Sequence, residues 1–277
     1  MPSLTWATKA ASVKRERVLS NLTSRSDLAR FLSAATPEAA MLWTNLPNSR
    51  SGTRLSDATF TLAMGLRLGL QVASPGTCRC GRELDGLGDN ALTCSKGVGR
   101  GVRHTELNSR ICSFFSEAGC PAVLEPVGLM RTDRKRPDGV TVLPFERGLP
   151  LAWDATVRHT SAPSYLHLIS VSAGAAAASA EASKDKKYAK LAAGRAFFVP
   201  VGLETLGAFG TSAKEMFDNL ASNIRAKTGN NNSRISMYRR VAAAIQNGNA
   251  ACILDAHWHT SGAFAGLTLA AASRVAI

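Results

Sequence analysis

The sequence lacks long hydrophobic runs and is short of acidic residues. No run approaches the roughly 18 to 20 apolar residues that cross a bilayer, and residues 1–19 lack the apolar segment of a secretion signal. We therefore expect no membrane segment and no export. The 20 acidic residues stand against 33 basic ones, which gives a net charge of +13 and a pI near 10.0. This imbalance favours an anionic partner, nucleic acid first and an acidic membrane surface second, over a role in solubility alone.

The six cysteines fall into two groups of three. Because no export signal is evident, the sequence does not favour a disulfide framework. One group lies within seventeen residues, a spacing that predicts a metal-binding loop: Cys78, Cys80 and Cys94. The other group lies among apolar or small residues, which predicts buried thiols: Cys112, Cys120 and Cys252.

Changes in composition and helical pattern divide the chain into four regions. They are a helical region (residues 1–74), a Gly- and Cys-rich loop (75–100), a core (101–210) and a second helical region (211–277). In the first region Ser56 is expected to cap a helix. In the last region we expect helices over residues 212–225 and 233–246, followed by a hydrophobic tail after Asn249.

The core shows a regular order of elements. Helical spacing and short apolar runs bounded by Gly, Pro or charges predict a helix (101–119), three strands (121–128, 138–143 and 151–157), a helix (173–193) and a strand (196–201). The order helix, three strands, helix, strand indicates an α/β fold with a mixed sheet.

Two carboxylates are placed for chemistry in this core. Asp138 opens one predicted strand directly after Arg136 and Pro137, and Asp154 lies inside the next. If these strands are neighbours, the two side chains can meet and offer the oxygen ligands that Mg²⁺ prefers. The following helix carries four residues that share one face: Glu181, Lys184, Lys187 and Tyr188. A lysine beside two metal-binding carboxylates can stabilise charge on a phosphate, although each residue alone is more typical of a turn, an ion pair or a solvated face.

This ordered set of residues resembles the PD-(D/E)xK nuclease superfamily. More closely, it resembles the restriction-like endonuclease region at the C-terminus of non-LTR retrotransposon reverse transcriptases. The matching pieces are Cys78-Arg-Cys80 and Cys94, then Arg103-His104-Thr105, Arg136-Pro137-Asp138-Gly139, Trp153-Asp154 and Lys184 to Tyr188. The sequence departs from the family pattern at three positions: Thr105 replaces an Asn, Thr156 replaces a Lys, and Asn90 replaces the His of the zinc knuckle.

The resemblance implies a nuclear, Mg²⁺-dependent DNA endonuclease whose nick frees a 3′ end to prime reverse transcription. In that case Asp138 and Asp154 bind Mg²⁺, Lys184 stabilises the phosphate, Lys187 neutralises the strand and Tyr188 supports that face. The polymerase portion of such a polyprotein is absent from this chain. The partner is DNA first, with RNA second. The alternative is a decayed remnant that binds nucleic acid without cutting it, and a third class is a zinc-stabilised protein-interaction module.

Two further groups of residues complete the expectations. Zinc is expected on Cys78, Cys80 and Cys94, with the fourth ligand left open between His104 and water because zinc favours four tetrahedral ligands. Phosphate contacts are expected from basic residues near the acids and in the C-terminal region, where they would hold a strand without reading its bases: Arg103, Arg131, Arg134, Lys135, Arg136, Arg239 and Arg240.

Overall fold

The computed structural model describes residues 6–129, 136–145, 148–189 and 196–261. The described chain is a mixed α/β protein with one mixed four-stranded sheet, one two-stranded hairpin and helices at both ends. None of the helices in these residues is long and apolar enough to cross a membrane.

The N-terminal region is helical, as predicted. Its helices are α1 (Trp6–Asn21), α2 (Arg25–Ala34), α3 (Pro37–Ala40) and α4 (Asp57–Leu68). The predicted cap of α4 is confirmed, because the Ser56 hydroxyl accepts a hydrogen bond of 3.2 Å from the backbone N–H of Thr59. The helix ends at Gly69, whose left-handed backbone (φ 70°) is favourable for glycine.

The Cys-rich segment has more regular structure than its sequence predicted. It forms an antiparallel hairpin of β1 (Gly76–Thr77) and β2 (Glu83–Leu84), followed by the short helix α5 (Asp89–Thr93). These elements are two to five residues long, which is too short to produce a readable hydrophobic period.

The core follows the predicted order of helix, three strands, helix and strand. Its elements are α6 (Val98–Glu117), β3 (Ala122–Leu124), a 3₁₀ turn (Val127–Leu129), β4 (Gly139–Thr141), β5 (Leu151–Arg158), α7 (Leu166–Ile169), α8 (Ala175–Tyr188) and β6 (Phe197–Glu204). The short helix α7 was not predicted. The sheet order is β3-β4-β5-β6, antiparallel as far as β5 and parallel between β5 and β6.

The central strand β5 packs against helices on both faces. Trp153 is buried in the main apolar cluster with side chains of α6, of α9 (Thr211–Thr228) and of α10 (Ser233–Ser261). On the opposite face Ala152 packs with Tyr188 of α8. Alternate side chains of β5 therefore point to α6 and to α8, so the strand lies between the two helices that carry the site residues.

The prediction that the last helix ends near Gln246 is wrong, since α10 continues to Ser261. Gly248 lies where α10 crosses α6, and a Cβ there would come within 2.4 Å of the Arg103 side chain. At Gly99 of α6, a Cβ would come within 2.4 Å of the Cys252 backbone. Gly248 and Gly99 are therefore contact residues that let the two helices approach closely.

Glu181 is a structural residue and not part of the lysine-bearing face that the spacing predicted. Its buried carboxylate accepts hydrogen bonds from the backbone N–H groups of Gly202 (3.1 Å), Ser212 (3.1 Å) and Ala213 (2.9 Å). It thus satisfies the first turn of α9, which has no cap from its own N-cap residue. Burial raises the pKa of Glu181 despite these donors.

Candidate active site

Of the two predicted carboxylates, Asp154 lies in β5 and Asp138 directly precedes the neighbouring strand β4. The antiparallel register pairs Gly139 with Trp153, so Asp138 and Asp154 are the next pair of opposite residues along the two segments. The backbone N–H of Asp138 donates to the Trp153 carbonyl (2.8 Å), and its Oδ2 accepts from the N–H of Ala155 (2.7 Å). The Asp138 carboxylate is therefore fixed beside the backbone that carries Asp154.

His104 of α6 meets Asp138 from the other side. Its Nε2 lies 3.0 Å from Asp138 Oδ2. This hydrogen bond raises the pKa of His104 against the effect of burial, and the charge of Asp154 acts in the same direction. Burial alone would raise the pKa of Asp138, but the contacts with His104 and Ala155 outweigh it and lower that pKa. The pair therefore favours an imidazolium beside a carboxylate.

Asp154 is almost completely buried and is neutralised by two lysines. Its Oδ1 pairs with Lys184 Nζ, and its Oδ2 lies 3.3 Å from Lys187 Nζ. The two lysines are three residues apart on α8, so their side chains leave the helix on the face toward β5. As expected, both amines reach the acidic residue of β5.

Tyr188 connects Lys187 to the segment that leads into Asp138 and β4. Its ring is fully buried, and its hydroxyl accepts from Lys187 Nζ (2.8 Å) and donates to the carbonyl of Arg136 (2.8 Å). Arg136 lies two residues before Asp138. Tyr188 therefore helps to position both Lys187 and the backbone leading to Asp138.

Asn108 is a site residue that the sequence interpretation missed. Its Oδ1 accepts from Trp153 Nε1 (2.9 Å), and its Nδ2 lies 3.3 Å from His104 Nε2. Because Asn108 follows His104 by four residues on α6, the two share one helix face. This i,i+4 spacing was the available signal. The family pattern instead places its Asn at position 105, where this sequence has Thr105.

The cysteine cluster forms a separate candidate metal centre. The sulfurs of Cys78, Cys80 and Cys94 all lie within 4.8 Å of one another, close enough to bind a metal such as zinc. Burial raises the pKa of Cys78 to about 11. The backbone and side chain of Arg82 lower the pKa of Cys80 to about 6.

His104 does not join this cluster, since its ring contacts Asp138. Asn90 instead lies against it, with Nδ2 3.9 Å from Cys80 Sγ. In the described part of the chain, no other His, Asp or Glu completes the three-cysteine group. Of the two expected fourth ligands, water is the one that remains compatible with this arrangement.

Three of the predicted phosphate-binding arginines make contacts within the protein. Arg103 is 4% exposed and donates to Asn249 Oδ1 (2.9 Å). Arg239 donates to the Leu46 carbonyl, and Arg240 pairs with Glu117 (2.8 Å). These side chains hold α10 against its neighbours, so the structure gives no support to a nucleic-acid role for them.

Of the other predicted basic residues, Arg136 alone lies in the described part of the chain. Arg136 is half-exposed and pairs with Glu125. Arg131, Arg134 and Lys135 lie outside the described residues.

The site thus combines two carboxylates, two lysines and an imidazole at one end of the sheet. Carboxylate oxygens are the ligands that hard cations prefer, and amines are groups that can hold an anion. No family model, curated protein or solved structure matches this chain. The chemistry of these side chains is therefore what indicates a function.

Proposed function

We propose that the chain is a metal-dependent endonuclease of the PD-(D/E)xK class that nicks DNA and derives from a retrotransposon. The observation that carries this proposal is that Asp138, directly before β4, lies next to Asp154 of β5 in the register, while the Lys184 amine of α8 pairs with Asp154. This acid, acid, lysine arrangement is the one that the resemblance implies. The nuclear location and the priming of reverse transcription are parts of the same proposal.

In this proposal Asp138 and Asp154 are the residues that would hold Mg²⁺. Asp138 and Asp154 offer hard carboxylate oxygens, and the lowered pKa of Asp138 keeps its carboxylate ionised at neutral pH. When bound there, the ion would activate water and offset charge on a phosphate. Both carboxylates are in contact with basic side chains, so a divalent ion would compete with the lysines for Asp154.

The side chains of the protein have distinct roles in this proposal. Lys184 transfers its contact from Asp154 to a non-bridging phosphate oxygen and stabilises the charge that develops there. Lys187, held by Tyr188, retains the partner position on Asp154. His104 positions Asp138 through their hydrogen bond.

The test is nicking of supercoiled plasmid in Mg²⁺ and in EDTA. Asp154→Asn should lower the Mg²⁺-dependent rate by about 10²-fold or more, the usual scale for loss of a group that stabilises a transition state. Asp185→Asn is the matched control, because Asp185 is an exposed carboxylate on α8 beside Lys184. Equal rates in the wild type and Asp154→Asn would place the nuclease centre elsewhere.

A non-catalytic nucleic-acid-binding protein is the second candidate. It is supported by the net charge of +13 and by the two lysines that neutralise Asp154. Salt-sensitive DNA binding with no nicking in either Mg²⁺ or Mn²⁺ would favour this candidate. Absence of both activities would leave the zinc-stabilised interaction module, which the cysteine cluster supports.

A further inference from the structure

A groove opens beside the carboxylate centre because two neighbouring strands differ in length. β4 pairs only with Ala152 and Trp153 of β5, so residues 155–158 extend beyond their neighbour on that side. Helix α6 passes opposite this free edge. The resulting groove has a volume of about 300 Å³, and it begins at His104 and Lys184.

The lining of this groove carries positive charge only. Its ionisable side chains are Arg100, Arg103, His104, Arg158 and Lys184, and none of its lining residues is acidic. None of them is aromatic either, and Thr156 adds one hydroxyl. A groove of this composition favours an anionic phosphate over an uncharged or apolar ligand. It also lacks an aromatic surface on which a base could stack.

Arg158, one of the residues that line the groove, has an unsatisfied donor. Its Nε is buried and has no hydrogen-bond partner, while its guanidinium lies 5.5 Å from the ring centre of Tyr165. A buried N–H without an acceptor is unfavourable, and a phosphate oxygen is a strong acceptor for arginine. Arg103 in the same lining is different, because Asn249 already accepts its hydrogen bond.

Arg100 gives the groove an accessible cation on the opposite wall. It is exposed, and its guanidinium donates to the Thr93 carbonyl at 3.3 Å. A neutral carbonyl leaves the charge of Arg100 uncompensated. Arg100 and Arg158 therefore offer positive charge from α6 and from β5, on the two sides of the groove.

We propose that this groove binds the phosphate backbone of a polynucleotide next to the position of cleavage. Asp154, Thr156 and Arg158 alternate on one face of β5, so the Cα of Arg158 lies roughly 13 Å from that of Asp154 at a rise of about 3.3 Å per residue. In this proposal the polynucleotide strand leaves the carboxylate centre along the free edge of β5. Contact is with phosphates and not with bases, so binding is independent of sequence. The position of cleavage rests on the proposed function, but phosphate binding does not.

The experiment measures binding of a short labelled DNA duplex in EDTA, where no cleavage is required, over a range of salt concentrations. The double variant Arg100→Gln with Arg158→Gln removes the two groove cations. The matched control is Lys14→Gln with Arg17→Gln, which removes two exposed cations from α1. The groove variant should bind more weakly, and its log–log salt slope should fall by about 2, at roughly 0.9 per lost phosphate contact. The control should retain the wild-type slope.

Further arms identify the source of the phosphate and guard against misfolding. The slope for single-stranded RNA should fall as well, by about 1.4 at roughly 0.7 per contact, because the proposed contacts are to the backbone. Arg100→Gln alone changes an exposed residue and should lower the DNA slope by about 1, so a folding defect of the Arg158 variant cannot hide the result. Competition by inorganic phosphate tests whether the groove prefers a small anion.

The outcomes separate this proposal from that of the nuclease. A full salt slope in both groove variants would overturn the groove, whether or not the protein nicks DNA. A second outcome would also overturn the proposal: the groove variants lose the competition by inorganic phosphate but keep the wild-type salt slope for the polynucleotide. That outcome would identify a small-anion site. A lowered slope in a protein that never nicks would support the groove and contradict the nuclease alone.

Discussion

The cysteine cluster and the carboxylate centre both bring together groups that bind metals, but they balance charge in opposite ways. In the cluster, three sulfurs lie within 4.8 Å of one another, with Arg82 as the cation that acts on Cys80. In the centre, Asp154 has two lysines and Asp138 has a histidine. The carboxylates are therefore compensated by the protein itself, whereas three thiolates would repel one another without a cation.

This difference separates a metal that stabilises the fold from one that serves chemistry. Deprotonated thiolates at such short separations are favourable only when a metal ion balances their charge, so metal binding there is linked to folding. A divalent ion at the carboxylates would instead replace lysine contacts that already exist. We expect metal removal to unfold the region of the cysteines and to leave the region of the carboxylates folded.

The largest expected effect is loss of the cysteine metal. Cys80→Ser should remove about one zinc per chain and lower the free energy of unfolding by roughly 4 kcal/mol or more, the linkage expected when metal is present at 1,000 times its Kd. Metal analysis and thermal unfolding measure the two effects. Cys112→Ser is the matched control, since Cys112 is also half-buried but donates to the Ala122 carbonyl, as a serine can. Absence of zinc from the wild-type protein would contradict metal binding by the cysteine cluster.

A smaller effect is expected from Lys184→Ala at the carboxylate centre. The variant leaves the Asp154 side chain, which is 5% exposed, with only the longer contact to Lys187. An under-compensated buried carboxylate should cost about 2 to 3 kcal/mol. Urea denaturation in EDTA measures this loss, and Lys186→Ala provides the control because Lys186 is exposed on the same helix. A loss that appears only when Mg²⁺ is removed would show that this centre, too, depends on a metal.

Much of the core could be predicted because its signals are local. Gly119 and the short apolar runs between charged turns marked the boundaries of α6, β5 and β6 closely. The acids and lysines of the site followed from their places in that order. Elements of two to five residues in the Cys-rich segment left no such pattern. Helix α10 continues through Gly248, where it lies against Arg103, a residue far away in the sequence.

The roles of individual side chains were harder to predict than their positions. A count of basic residues does not show whether a guanidinium faces solvent or meets an acceptor far away in the chain, as Arg103 meets Asn249. In the same way, nothing in the sequence distinguishes Arg158, although its Nε is a buried donor without a partner. Long-range partners decide these roles, and composition carries no information about them.

The smallest expected effect concerns the charge balance between His104 and Asp138. The raised pKa of His104 stabilises the fold below its ordinary value of 6.5, and this contribution is lost as pH rises through the folded-state pKa. The lowered pKa of Asp138 stabilises the fold above its ordinary value of 3.8, and this contribution is lost as pH falls through the folded-state pKa. Both contributions are therefore present between about pH 4 and 6.5.

Asp138→Asn, which can still accept from the Ala155 N–H, should lower the pKa of His104. It should cost at most about 1 kcal/mol of folding stability in this window, since the His104 side chain is 48% exposed. NMR titration of the imidazole in EDTA measures the change, with Asp185→Asn as the control. An unchanged His104 pKa in Asp138→Asn would mean that the carboxylate centre does not balance its own charge, and the contrast with the cysteine cluster would fail.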